Sequence, residues 1–203
     1  MPPRRRTAPE LGRTALAAWR ADPGGVDRAT LATAVRFTLE HRFDAPALEV
    51  SRAYADPALY ATFGALPRAG QPEVVSHELD VDGRVHLAIR WAFTADLSSA
   101  ARAVIDPDRL TWVQASIHDV DGCTATYRMV PDHYGDRFSS TGGYRFDADG
   151  GDAGGRSGCV RHSHGEVKVR APLVGRAVEG AIVDGLREQL AAEVALVERF
   201  IKG

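Results

Sequence analysis

Histidine and carboxylate are the residue types in this chain whose spacing raises the prospect of chemistry. His162-Ser163-His164 sets two imidazoles at i and i+2. On an extended strand these point the same way, as two ligands of one metal ion must. Val160, His162, His164, Glu166, Lys168 and Arg170 then share a face, and all but the first are polar. The opposite face carries Ser163, Gly165, Val167, Val169 and Ala171. The imidazoles are therefore expected on the solvent side, and no metal site is assigned. His118-Asp119 and Asp132-His133 are adjacent acid–base types near strand ends. Neighbours on an extended chain point apart, so neither is expected to act as a pair. No spacing supports a Ser–His–Asp or Cys–His arrangement. No catalytic residue and no cofactor are assigned.

His41 and His77 stand apart from these. Each interrupts an apolar face, formed by Phe37, Leu39 and Phe43 in one case and by Val75, Leu79 and Val81 in the other. A polar group on an inward face needs a partner, which neighbouring groups or a bound molecule can supply. Gln114, between Trp112 and Ser116, and Tyr144 are polar groups of the same kind. Leu87, Ile89 and Trp91 are apolar residues for a core or a pocket lining.

The elements that carry these residues follow from periodicity. Residues 35–43 alternate apolar and polar, which predicts a strand with one buried face. Asp44-Ala45-Pro46 stops it, with Asp44 as a capping residue. Two short helices follow, around 48–54 and 57–63, divided at Asp56-Pro57. Strands are predicted at 75–81, 85–93, 109–119, 123–131, 137–147 and 159–170. Asp82-Gly83 and Asp121-Gly122 make turns between them. Residues 96–105 read as a short helical connection. Asp149–Gly158 is rich in glycine but joins two strands, so it reads as a hairpin loop and not as a phosphate loop, which would lead into a helix.

After Ala171-Pro172 the period changes to about 3.6. Val174, Val178, Ile182, Leu186, Leu190, Val194, Val197 and Ile201 form the stripe of a long amphipathic helix. Gly175, Gly180 and Gly185 are costly within it and are expected to bend its first half or to leave room beside the sheet.

Bulk properties bound the function. A chain of 203 residues with net charge −2 supports one core and lacks the basic balance of a dedicated nucleic-acid binder. Residues 1–33 hold six arginines against Glu10, Asp22 and Asp27, and are expected to be a loosely ordered basic extension of a domain spanning 34–203. No apolar run has the length of a membrane span, and no apolar stretch follows Arg4–Arg6 as an export signal requires. Cys123 and Cys159 are too few for a disulfide framework. They are neighbours if their strands pair. Free thiols and a cytoplasmic location are expected.

The order of strand, two short helices, six strands and a long final helix is α+β. A curved antiparallel sheet of about seven strands must bury one face, and only the final helix is long enough to cover it. This order resembles the helix-grip fold of the START-like (SRPBCC) superfamily, which includes the Bet v 1 allergens, START lipid-transfer domains and polyketide cyclases. Three stretches carry a narrower resemblance: Phe37–Pro46, Gly165–Gly175 and Val178–Leu186. Within them Lys168, Pro172, Leu173, Val174 and Gly175 match a Lys-x-x-x-Pro-Leu-Val-Gly pattern, continued by Glu179 and Ile182. The pattern is similar to that of an actinobacterial family known as domain of unknown function 2505. The resemblance covers about residues 34–202 and transfers no catalytic residue.

What the resemblance implies is a cavity between sheet and helix for a small apolar molecule such as a lipid, an isoprenoid or a polyketide-like aromatic. Its expected lining is Phe37, Leu39, His41, His77, Leu87, Ile89, Trp91, Gln114, Tyr144, Val178, Ile182 and Leu186. The first half of the helix is expected to border the ligand and the second half only to pack. A cyclase- or dehydratase-like enzyme ranks second, because no carboxylate falls on an inward face. An interaction module using residues 1–33 and the 149–158 loop ranks third. Nothing in the chain specifies an oligomeric state.

Overall fold

The computed structural model describes residues 34–64, 66–94, 106–135, 137–150, 158–171 and 175–203. The expectations for residues 1–33, for the 96–105 connection, for most of the 149–158 loop and for Pro172–Val174 lie outside these.

Alternation builds the first strand, β1 (Val35–Phe43), with Phe37, Leu39 and Phe43 buried and their neighbours outside. Two short helices follow, α1 (Ala47–Ala55) and α2 (Pro57–Thr62). Asp44 does not cap α1. Pro46 holds that position without a side-chain bond, and the Asp44 N–H donates to Glu198 instead. Asp56 does cap α2, accepting from the Ala58 N–H at 2.8 Å.

The other strands are β2 (Glu73–Leu79), β3 (Val85–Ala92), β4 (Thr111–Asp119), β5 (Thr124–Pro131), β6 (Phe138–Ala148) and β7 (Cys159–Val169). All pairings are antiparallel, in the spatial order β1-β7-β6-β5-β4-β3-β2. Asp80 organises the β2–β3 turn. Its carboxylate accepts from the Asp82 and Arg84 N–H groups, and Gly83 takes the left-handed conformation at φ 78°. The Asp149 N–H bonds the Gly158 carbonyl, so the 149–158 segment does close a hairpin.

The final helix, α3 (Gly175–Lys202), runs back along β1 and β7. Val183 packs on Phe37, Leu39 and Val167, flanked by Ile182, Leu186 and Leu190. Val197 joins a second cluster with Phe43, Tyr54, Leu59, Phe63, Leu87, Ile89 and Trp91. A smaller cluster of Ala88, Val113 and Ala115 lies on the other side of the sheet. Two buried carboxylates share the inward side of α3, Glu179 (1 % exposed) and Glu193 (4 %). This corrects the expectation that no carboxylate faces inward. Glu179 accepts the Val169 N–H at 2.8 Å, and Lys168 stands 3.9 Å from it.

Two further expectations are corrected. A bulge between Val74 and Ser76 breaks the alternation of β2, so Val75 and His77 do not share a face. His77, Leu79 and Val81 are exposed on or beside this edge strand. Cys123 and Cys159 are free and do not sit on paired strands, because β6 runs between β5 and β7.

Candidate functional site

The concave face can be read row by row from the pairing. One row is His118, Ala125, Tyr144, Ser163 and Leu39, and the next is Phe146, Arg161 and His41. Residues directly opposite one another point to the same face. Arg161 therefore sits inside the fold, 1 % exposed, between Phe146 and His41.

A buried guanidinium is tolerable only when its charge and its donors are answered. Arg161 donates to the Tyr54 hydroxyl and, at 3.2 Å, to the Leu190 carbonyl. Its charge lies 3.6 Å from Glu193. Glu193 in turn accepts from Tyr54 at 3.1 Å and from Gln189 at 3.1 Å. The guanidinium also rests over the rings of Phe43 and Tyr54, 5.5 and 5.2 Å from their centroids. Tyr60 donates to the Tyr54 carbonyl at 3.0 Å. The result is a charge-balanced knot joining β7, α1, α2 and α3, with the Arg161 Nε–H unpartnered.

Beside it lies a neutral hydrogen-bond chain. The buried Ser116 hydroxyl is 3.2 Å from the Leu87 carbonyl and 2.8 Å from Nε2 of His118. Nδ1 of His118 faces the Tyr144 hydroxyl at 3.5 Å. The two rings meet over the small side chain of Ala125, which separates them in the register, with centroids 6.3 Å apart. Spacing supports no Ser–His–Asp arrangement, and the contact present is a Ser–His pair alone. It is not a catalytic triad, because a tyrosine hydroxyl stands where a carboxylate would orient the imidazole.

Burial sets the protonation of these groups. It lowers His118 to about 4, helped by His77 and His86 nearby. It lowers His41 to about 4 as well, helped by the positive charge of Arg161. Burial pushes the hydroxyls of Tyr54, Tyr60, Tyr127 and Tyr144 well above the ordinary tyrosine range. Both imidazoles and all four phenols are thus neutral at physiological pH. Among the polar atoms buried without a partner are Arg161 Nε, His41 Nδ1 and Ser163 Oγ. These three belong to the same two rows.

Residues 38–201 match the family model described as Protein of unknown function (DUF2505). The chain belongs to the DUF2505 family. No curated protein matches it. Solved structures show which fold this DUF2505 chain adopts. A Thermus thermophilus protein is 16 % identical, with a TM-score of 0.56 over 82 % of this chain and 97 % of that one. An aromatase/cyclase from a Streptomyces species is 14 % identical, with a TM-score of 0.53 over 83 % and 94 %. Norcoclaurine synthase from Thalictrum flavum, solved in complex with dopamine and hydroxybenzaldehyde, is 18 % identical, with a TM-score of 0.51 over 87 % and 92 %. The shared fold is the helix grip, with a seven-stranded curved sheet and a long C-terminal helix.

On this DUF2505 scaffold the twelve expected lining residues separate into groups. Phe37 and Leu39 meet Ile182 and Leu186 under the first half of α3, and Val178 is half-buried one turn before Ile182. Leu87, Ile89 and Trp91 are fully buried against residues of α1, α2 and the segment after them. Gln114 and Tyr144 are half-buried on the concave face, and Gln114 lies between Ile89 and Met129 in the register. His41 is half-buried beside Arg161. His77 is exposed on the edge strand, opposite Leu87. Arg161, Glu193, His118 and Ser116 are inward groups absent from the expectation. His162 and His164 do lie outside: His164 is exposed, and His162 is engaged by Glu40 at 3.0 Å and Asp147 at 3.4 Å.

Proposed function

We propose that this domain, taken as residues 34–203, binds a small, mostly apolar molecule, such as a lipid, an isoprenoid or a polyketide-like aromatic, between the concave sheet and α3. One observation carries the reading. On the concave face Gln114, Met129 and Tyr144 keep accessible surface, as do Ile182 and Leu186 on the helix opposite β1 and β7. A face of this kind, mainly apolar with a few fixed polar groups, is the usual composition of a ligand site. The small molecules and aromatic chemistry in the names of the structural neighbours support the same reading. Free Cys123 and Cys159 fit a reducing, cytoplasmic compartment. We assign no cofactor and no nucleic-acid partner.

The test is direct. Protein purified under native conditions is extracted and its organic phase weighed by mass spectrometry, and the emptied protein is titrated with the apolar dye Nile red. Co-purified small-molecule mass or saturable dye emission is expected. A protein that carries nothing and leaves the dye dark would reject the reading.

An enzyme of the cyclase or dehydratase kind is the second reading. It would be favoured by a buried carboxylate paired with a histidine. The buried Glu193 pairs with Arg161 and Tyr54 instead, which makes it a counter-ion.

A further inference from the structure

We infer that the ligand presents a hydrogen-bond donor, a neutral hydroxyl and not a carboxylate, to the Tyr144 hydroxyl oxygen. This rests on the binding reading above and specifies the chemistry of its polar end.

The inference comes from the direction of the Ser116–His118–Tyr144 chain. Either partner of the 2.8 Å Ser116–His118 contact is able to donate, but the Leu87 carbonyl at 3.2 Å only accepts. A serine hydroxyl has one proton. Given to the carbonyl, it leaves Ser116 Oγ to accept from Nε2–H of His118. A neutral imidazole carries one N–H, so Nδ1 is then an acceptor and the Tyr144 O–H donates to it. Tyr144 has now spent its only proton. What its oxygen offers to anything beside it is a lone pair.

Two other features agree with this polarity. Tyr144 keeps accessible surface, whereas Ser116 and His118 are buried beneath it, so the chain meets a ligand at its tyrosine end. The one cation of the neighbouring knot, Arg161, already faces Glu193 and two aromatic rings. An ionised carboxylate would meet that lone pair at Tyr144. Arg161 Nε and the Ser163 hydroxyl beside it are unpartnered donors, but the guanidinium's charge is already answered by Glu193, leaving no uncompensated charge to offset the carboxylate's desolvation. A phenol or alcohol would place its O–H against Tyr144 and its carbon body along the part-buried concave face beside it.

The experiment compares naphthol, naphthalene and naphthoate, one ring system with a donor, nothing or an anion, as competitors for bound Nile red. Naphthol is expected to bind about three- to tenfold tighter than naphthalene, the effect of one hydrogen bond, and naphthoate at least about tenfold weaker than naphthol. Tyr144→Phe should bring naphthol down to naphthalene while naphthalene itself is unchanged, which also shows that the variant is folded. Ser116→Ala removes the group that sets the direction of the chain and should shrink the naphthol preference with the tyrosine still present. Naphthoate binding as tightly as naphthol, or a naphthol preference that survives Tyr144→Phe, overturns the inference. So does Nile red binding that none of the three competes with. Failure of Nile red itself to bind is the separate result that removes the binding reading underneath.

Discussion

Arg161 on β7 and Glu193 on α3 face each other at 3.6 Å, both almost completely buried, and Tyr54 from α1 bridges them. Three elements distant in the chain are thus tied at one point. Removing either charge leaves the other unanswered in the interior, so Arg161→Met or Glu193→Leu alone should destabilise the fold by about 3–5 kcal/mol. The double replacement removes both charges and should recover much of that loss. Urea denaturation midpoints of the two single variants and the double variant measure the coupling. Additive losses would show that the two side chains act independently.

Stability should fall as the solution is acidified. His118 is held near 4 in the folded chain against an ordinary value of 6.5. Between those values the unfolded chain binds a proton that the folded chain refuses. The contribution is therefore complete above about 6.5, declines through the window, and is gone by about 4, a loss of about 3 kcal/mol for a fully buried imidazole. His41 adds in the same direction, with less weight because it is only half-buried. Urea midpoints measured from pH 7 to 4.5 should drop, and His118→Gln should flatten the curve. In proton spectra the His118 ring should show no titration above pH 5.

The helix glycines divide by what surrounds them. A methyl group at Gly180 meets nothing within 4 Å, so Gly180→Ala should raise stability by up to about 1 kcal/mol. At Gly175 the same methyl would stand 2.6 Å from the Val169 carbonyl oxygen, a backbone atom that cannot step aside. Gly175→Ala should therefore lower the melting temperature while Gly180→Ala raises it. Equal shifts would contradict the packing described at the start of α3.

Gly142 on β6 and Gly165 on β7 are directly paired, with Tyr127 on the neighbouring strand to one side and Phe37 on that to the other. A methyl at Gly142 would lie 2.6 Å from the Tyr127 hydroxyl and 2.4 Å from the His164 carbonyl. One at Gly165 would lie 2.6 Å from the Phe37 ring and 2.8 Å from the Thr141 carbonyl. Overpacking of this kind costs about 1–3 kcal/mol or more. Either alanine variant should show that loss in thermal melts, together with an altered near-ultraviolet spectrum from Tyr127 or Phe37.

Strand alternation and the helical stripe made the architecture legible, because both record burial in apolar residues. The site was less legible, because its inward groups are polar. Arg161 occupies the same parity on β7 as Ser163, Gly165 and Val167, a face the alternation had already marked as opposite to His162 and His164. Extending that face by one step places the arginine inside. What hid it was side-chain type: an arginine is buried only when a distant carboxylate answers it, and no local pattern links residue 161 to residue 193. Glu179 and Glu193 are hidden likewise, in a helix whose apolar stripe runs beside them. His118 lay near a strand end beside Asp119, whose carboxylate is taken up by the Gly122 N–H in the turn. His77 lies opposite Leu87 on the concave face but on the edge strand, where it is exposed, and the bulge takes Val75 and not His77 to the other face.

The two buried carboxylates of α3 have a mechanical consequence. Glu179 grips the backbone at the end of β7 and Glu193 grips Arg161 near its beginning, about four helical turns apart on one side of the rod. Fixed at two points, the helix can neither roll about its axis nor slide along the sheet without stripping a buried anion of its partner. It is a riveted beam and not a hinged cover. Under the binding proposal, a ligand would have to reach the concave face with α3 left in place.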